Sequence, residues 1–251
     1  MQSKLKVLLA GESWISHGVH IKGFSTYETG SYEEGLAPLQ QALEQGGCDF
    51  SYIRNHEAVE KFPFTLDQLK QYDVVIFSDI PADTILLHND TFVRGQRTPN
   101  RLQLIADFVQ QGGGFLMVGG YMSFSGFQGK ANYTWSPLAG ILPVKMIGSD
   151  DRMETPQGVV PQVLKPDHPI LKGIPAEWPH FLGYNKLLPG EGDLLMICQS
   201  DPFLAVRQVG RGRVAAFASD CSPHWAPPEF VAWPHYQLFW NQLVSWLADR
   251  L

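Results

Sequence analysis

The 251-residue chain has only three cysteines, Cys48, Cys198 and Cys221, with neither C-x-x-C spacing nor an even count to pair. That scarcity excludes a disulfide scaffold or a cysteine-rich zinc module, so free thiols are expected. No apolar run approaches the ~18 residues of a membrane span, so no membrane role is expected. Basic charge is also in short supply. Lys and Arg number 19 against 25 Asp and Glu, a net of −6, and the charges are scattered rather than gathered into a stripe, so nucleic acid is not an expected partner. The start, Met1-Gln2-Ser3-Lys4-Leu5-Lys6, leads into an apolar stretch too short for a signal h-region, which reads as a cytoplasmic start. What is present is a globular composition, 44% hydrophobic and 18% charged, with 24 glycines, 18 prolines and seven tryptophans. Such a mixture buries a real core and places its sites on loops. The length, at ~150 residues per typical domain, fits one large domain spanning residues 1–251.

The first half alternates strand-like apolar runs with amphipathic stretches, the pattern of βαβ units around a parallel sheet. Leu5 to Ala10, Phe50 to Ile53, Val74 to Phe77 and Phe115 to Val118 read as strands. Gly11 to Ser31 reads as a polar, aromatic loop, longer than the ~2–6 residues usual between strand and helix. Ser31 with Glu34 reads as a capping box opening a helix through Leu36, Leu39 and Leu43. Thr65 with Gln68 opens a shorter helix, Thr98-Pro99 another that Gly112-Gly113-Gly114 closes, and Asp79 ends its strand at the carboxyl edge. The second half reads as strands at Val159–Leu164, Leu182–Leu187, Leu194–Cys198, Leu204–Val209 and Arg213–Ala218, with a hairpin turn at Gly210-Arg211-Gly212. A terminal helix carries Tyr236, Phe239, Trp240, Leu243, Trp246 and Leu247 at helical spacing, expected in the core.

Several motifs occur in a telling order. Gly119-Gly120-Tyr121-Met122-Ser123 comes directly after a strand; then come His168-Pro169-Ile170-Leu171-Lys172-Gly173-Ile174, Val209-Gly210-Arg211-Gly212-Arg213-Val214, and Asp220-Cys221-Ser222-Pro223-His224-Trp225. Taken together, the chain resembles the class I glutamine amidotransferase-like superfamily, and within it the branch that includes trehalose-utilisation-type proteins. The resemblance implies an α/β fold, a flavodoxin-like three-layer sandwich with a mostly parallel central sheet. In that superfamily a nucleophilic cysteine sits on a strained strand-to-helix elbow and is activated by a late histidine. The alignment implied by the resemblance puts Tyr121 where that cysteine would be and Ser123 where the elbow's second glycine would be. A phenol, with a reference pKa of about 10, is a poor acyl nucleophile at neutral pH. His224 falls at the histidine position, but the family's glutamate two residues further on is not matched, since the next carboxylate is Glu229. Glutaminase chemistry by the usual route is therefore not expected.

Other residues suggest chemistry in its place. Cys221 lies three residues before His224, so it is either an alternative nucleophile or a small hydrophobe filling space. Asp220 either orients His224 or ends a strand, and Tyr121 is either a ligand-binding phenol or a plug. Glu12, Ser13, His17 and His20, at and beyond the end of the first strand, supply ligand-binding groups. Imidazole and carboxylate there also suit a metal, but the spacing lacks a helical ligand pattern, and neither metal nor cofactor is expected. Trp14, Phe24, Tyr27 and Trp225 offer flat apolar faces of the kind sugar clefts use. The expected function is the binding or hydrolysis of a small polar, carbohydrate-like substrate at the carboxyl ends of the sheet. His224 would be general acid/base, Cys221 the nucleophile, Tyr121 a donor to developing charge, and Glu12, Ser13, His17, His20 and Asp220 substrate ligands. The alternative is a non-catalytic ligand-binding or assembly module, with a homo-oligomer through the Trp-rich C-terminal helix left open.

Overall fold

The computed structural model describes residues 3–251. Its apolar runs become an eight-stranded sheet in the order β4 (Asp49–Ile53), β1 (Lys6–Gly11), β5 (Val74–Ser78), β6 (Gly114–Val118), β14 (Gly212–Phe217), β13 (Asp201–Val209), β12 (Asp193–Cys198) and β9 (Gln162–Val163). From β4 to β14 every pairing is parallel, and from β14 to β9 every pairing is antiparallel. One register line runs through Leu9, Ile76, Leu116 and Ala215. Every residue of β5 and β6 is buried, which a parallel strand achieves only when helices cover both faces of its sheet. The fold is therefore the flavodoxin-like α/β class that the sequence suggests.

Two groups of helices supply the cover. α1 (Ala37–Gln45) packs on the terminal helix α8 (Tyr236–Leu247), and α8 packs on β6 and β14. In the second group α6 (Arg101–Gln110) packs on the same two strands and meets α3 (Leu66–Leu69) and α4 (Ala82–Leu86), while α2 (Asn55–Lys61) leans on α4. α5 (Asn89–Phe92) and α7 (Pro228–Val231) are single turns. Thr65 and Gln68 form the expected capping box of α3. α6 begins later than Thr98-Pro99 because Asn100 is the cap, its carboxamide oxygen accepting from the Leu102 and Gln103 amides. Arg101 is fully buried and donates to the carbonyls of Ala58 and Val59 on α2 and of Ile85 on α4. It thereby fixes α2, whose first residue, Asn55, borders the carboxyl ends of the parallel strands.

The expected loop at Gly11–Ser31 and the helix capped by Ser31 and Glu34 are both corrected. Residues 13–34 form a two-stranded ribbon, β2 (Ser13–Lys22) and β3 (Ser25–Glu34), in unbroken register from Ser13 opposite Glu34 to Lys22 opposite Ser25. Gly23, at φ 61°, turns the chain, and Ile15, Val19 and Ile21 alternate along β2 in the two-residue period of a strand. All of β3 is exposed, Ser31 and Glu34 included, and α1 starts only at Ala37, without a side-chain cap. Two further ribbons, β7 (Val144–Met146) with β11 (Leu187–Pro189) and β8 (Arg152–Val159) with β10 (Phe181–Asn185), lie outside the main sheet. No helix among the described residues is long and apolar enough to cross a membrane.

Candidate functional site

The carboxyl ends of β1 and β5 meet in a tight arrangement. Gly11 has φ 121°, and a Cβ there would lie 1.7 Å from the Ser78 carbonyl oxygen, so only glycine fits. The close approach lets the Glu12 amide donate to the same carbonyl at 2.9 Å. Glu12 and Asp79 then adopt left-handed backbone conformations, φ 48° and 46°. Each such residue costs on the order of 1–3 kcal/mol, offset by its surroundings. Here the Tyr52 hydroxyl donates to the Gly11 carbonyl and Asn55 Nδ2 to the Asp79 carbonyl. Both carboxylates are aimed over the end of the sheet as a result.

The glycine turn after β6 wraps one of them. Asp79 Oδ1 accepts from the Met122 amide at 2.6 Å, and the Asp79 amide donates to Ser123 Oγ at 3.1 Å. Gly120, at φ 150°, leaves room that a Cβ, 2.9 Å from Asp79 Oδ1, would take away. The chain leaves this turn through a series of 3-10 turns at Phe127–Gly129, Tyr133–Trp135 and Pro137–Gly140, not through an α-helix. The helix N-terminus that lowers a nucleophile's pKa at an elbow is therefore not supplied here. The end of β14 brings a third carboxylate: Asp220 Oδ1 accepts from the Cys221 and Ser222 amides, and its Oδ2 lies 3.9 Å from His224 Nδ1.

Together these strand ends enclose a cavity of about 440 Å³. Glu12, Asp79 and Asp220 form its acidic floor, and Trp14, Tyr121, Met122, Pro223 and His224 its walls. A second hollow of about 370 Å³ shares Trp14, Asp79 and Met122 with it and continues to Ser13, Asn55 and His56. Burial, with the neighbouring charges of Asp220 and Asp79, holds the Glu12 carboxyl well above the usual carboxylate range. Burial likewise raises Asp79, and raises Asp220 to about 8. Burial lowers His224, whose side chain is 43% exposed at the rim.

Of the residues singled out in the sequence, the structure brings Glu12, Tyr121, Asp220 and His224 to one cavity and Ser13 to the adjoining hollow. Cys221 lies beneath the floor with no exposure, 3.7 Å from Glu12 Oε2 and 3.8 Å from Ser78 Oγ. Burial and then the Glu12 and Asp220 charges push its thiol up, the opposite of what a thiolate nucleophile needs. The Tyr121 hydroxyl is engaged as donor to Glu154 Oε1 at 2.7 Å, while its ring packs edge-on against His224 with centroids 4.3 Å apart. His17 and His20 do not join the cavity. They stand on the exposed ribbon, bonded to Glu28 and Thr29 of the facing strand. Phe24 projects into solvent at the ribbon tip and Trp225 is buried, so of the four suggested aromatic faces only Trp14 lines the cavity. Asp79 and Met122 were absent from the expected site; the position of Asp79 at a strand's carboxyl end was its signal, and Met122 had none. Nor did anything local point to Glu154, which reaches Tyr121 from β8 and also accepts from Trp225 Nε1 at 3.1 Å.

Beneath the glycine turn lies a further buried carboxyl group. Asp151 accepts from the Ser125 and Gly126 amides and from Asn185 Nδ2, and Asn185 Oδ1 accepts from the Gly120 amide. Burial outweighs these donors and raises Asp151 to about 6. The native state then binds this proton more tightly than the unfolded chain, so the contribution of Asp151 to stability is full below about pH 4 and lost as pH rises through 6. That loss is on the order of 3 kcal/mol. A carboxyl-carbon NMR titration of Asp151 should show a midpoint near 6; a midpoint near 4 would contradict this account.

The open α/β sheet, with a cavity at the carboxyl ends of its parallel strands, is consistent with the flavodoxin-like, class I glutamine amidotransferase-like architecture. The sequence model of the family described as "Putative glutamine amidotransferase" matches residues 6–249, and the chain belongs to that family. It is similar over its length to a cytoplasmic protein from Salmonella typhimurium, with 41% identity, TM-score 0.93, and 97% of this chain and 99% of that one covered. A second cytoplasmic protein, from Salmonella typhimurium LT2, is 44% identical, with the same TM-score and coverage. A ThuA-like protein from Bacteroides uniformis ATCC 8492, 13% identical with TM-score 0.52 over 95% of this chain and 89% of that one, shares the fold. No functionally curated protein matches the chain's sequence.

Proposed function

We propose that this chain is a cytoplasmic hydrolase-type enzyme acting on a small polar substrate, carbohydrate-like in its hydroxyl content, held in the cavity at the carboxyl ends of β1, β5, β6 and β14. The observation that carries the reading is the convergence of three carboxyl groups, Glu12, Asp79 and Asp220, with the accessible imidazole of His224 around one space of about 440 Å³. A volume of that order suits a ligand of monosaccharide to disaccharide size. The three carboxyl groups offer hydrogen-bonding partners to the hydroxyl or amide groups of a substrate, and the otherwise mostly apolar lining includes the Trp14 face, on which a sugar ring can lie.

In this reading His224 takes a proton from the attacking water and Asp79 and Asp220 hold the substrate's polar groups. Cys221 is not the nucleophile, because its thiol is buried and its pKa is raised. Tyr121 shapes the wall and carries the edge contact to His224. The likeness to the two cytoplasmic Salmonella proteins supports the cytoplasmic placement. The engaged Tyr121 hydroxyl and the buried Cys221 also leave room for a binding module that performs no reaction. The experiment is a panel of small glycosides and amides incubated with the purified protein and followed by proton NMR and by thermal shift. Turnover of at least one compound is expected. Ligand-induced stabilisation without product from any compound would decide for the binding module.

A further inference from the structure

We propose that the ribbon of β2 and β3 is a dimerisation arm, whose face bearing Ile15, Val19 and Ile21 packs on the same face of a second copy of this chain. Seven of the sixteen large apolar side chains exposed among the described residues stand on the 22 residues of the arm. Ile15 is 69% and Ile21 73% exposed, and Phe24 at the tip is open to solvent on all sides. The arm meets the rest of the chain chiefly at its base, through α2, where the Tyr32 ring stands edge-on to His56. An isolated two-stranded hairpin is marginal in water, and exposed isoleucines add nothing to it until a second surface covers them.

The two faces of the arm differ in charge. Residues directly opposite in the register share a face, so Lys22 and Glu33 lie together on one side, where neither forms an ion pair with a described residue. Between Ile15 and Ile21 the other side carries only His17 and Glu28 as charged groups, and these already bond each other at 3.1 Å. That is the side that can be desolvated, since the core of an interface is depleted of unpaired charge.

The isoleucine side is also complementary to itself. A two-fold axis crossing the arm at the Gly18–Thr29 rung sets Ile15 on Ile21 of the second copy, Tyr32 on Thr26 and Glu28 on Gly30. Each large side chain then meets an apolar or a small one. Glu28 lands beside His17 of the second copy, because His17 is the rung partner of Gly30, and no like charges face each other. The same operation lays the Gly23–Phe24 tip over the Ser13–Glu34 rung at the base of the other arm. Ser13 and Trp14 line the smaller hollow, so each tip borders the hollow of the other copy. An arm of ten residue pairs is ~34 Å long and ~10 Å wide, which gives roughly 700 Å² for the two faces. The tip-on-base contacts at both ends bring the total toward the ~1,200 Å² at which stable interfaces begin, so the dimer should dissociate on dilution.

The test is sedimentation velocity of the purified full-length protein over a concentration series. A monomer–dimer equilibrium is expected, with the dimer dominant at the concentrated end. Ile15→Lys combined with Ile21→Lys should leave a monomer at every concentration with its circular dichroism unchanged, because both side chains are exposed in the single chain. Ser16→Lys combined with Thr29→Lys adds the same charge to the opposite face and should dimerise as the wild type does. A short bis-maleimide should join Ile15→Cys chains to Ile21→Cys chains in a mixture, above the background of the native thiols. Within either cysteine variant alone the two introduced thiols stand ~20 Å apart along the arms and should not be joined. A wild type that stays monomeric throughout overturns the proposal and leaves the arm to a different partner. A dimer that persists in the Ile15, Ile21 lysine variant, or is lost equally in the Ser16, Thr29 variant, also overturns it. If the first lysine variant does not fold, cross-linking no stronger in the mixture than in either cysteine variant alone overturns it equally.

Discussion

Replacing His224 by alanine is expected to lower turnover of whichever panel compound is a substrate by about 10²–10⁴-fold, the usual contribution of a positioned general base. Folding should survive the change. The imidazole is 43% exposed at the rim and packs by ring contacts with Tyr121 and Trp225, at centroid distances of 4.3 and 5.4 Å. Neither neighbour depends on it for a hydrogen bond, since the Tyr121 hydroxyl and Trp225 Nε1 both donate to Glu154. Thermal midpoint and near-ultraviolet circular dichroism should therefore match the wild type. A fully active His224→Ala protein would falsify the assignment of the base, whatever the substrate proves to be.

The largest expected effect on stability comes from Phe217→Ala. Phe217 ends β14 in the middle of the sheet, fully buried, with ring contacts to Phe203, Trp240, Phe239 and Phe181 at centroid distances of 5.1, 5.2, 5.6 and 6.0 Å. It joins the antiparallel part of the sheet to helix α8. Truncation removes the ring's transfer energy and leaves a cavity between stiff neighbours, a loss of about 3–5 kcal/mol. For a chain of this size that corresponds to a fall in Tm of roughly 6–20 °C. Denaturant unfolding followed by tryptophan fluorescence measures it directly. A loss under about 1 kcal/mol would mean that the aromatic cluster closes over the gap, and that its packing is looser than the ring distances indicate.

The parts of this fold that could be read from the chain are those where burial writes itself into composition. Val74 to Phe77 and Phe115 to Val118 are covered on both sides, so they show as unbroken apolar runs, and α8 shows its buried face at helical spacing. The ribbon escaped because it buries almost nothing: with both faces in solvent, serine, histidine, glycine and glutamate share its strands, and Ile15, Val19 and Ile21 were too few to outweigh them. A loop over these residues would bring His17 and His20 to the strand ends, whereas the ribbon carries them away from the cavity. Cys221 and His224 look like a pair because three positions separate them. In a non-helical turn, however, that spacing does not put side chains on one face, and here the thiol points inward to Glu12 while the imidazole points out. Asp79 needed the third dimension, because only the packing of β1 beside β5 and β6 shows that its strand end faces the same space as Glu12 and Tyr121.

The place of β14 has a bearing on how the chain is made. It is the last strand to leave the ribosome, yet it lies fifth of eight across the sheet, flanked by β6 on one side and β13 on the other. Until residues 212–217 are synthesised, a growing chain holds two separate half-sheets, each with an open apolar edge where β14 will later insert. Unpaired edges of that kind invite pairing with other chains. Asp220 and His224 arrive in the same final stretch, so a nascent or truncated product has neither a closed sheet nor a finished cavity. Completion of the sheet and completion of the cavity are thus one late event, and premature termination anywhere before β14 should yield material that depends on chaperones and lacks the cavity.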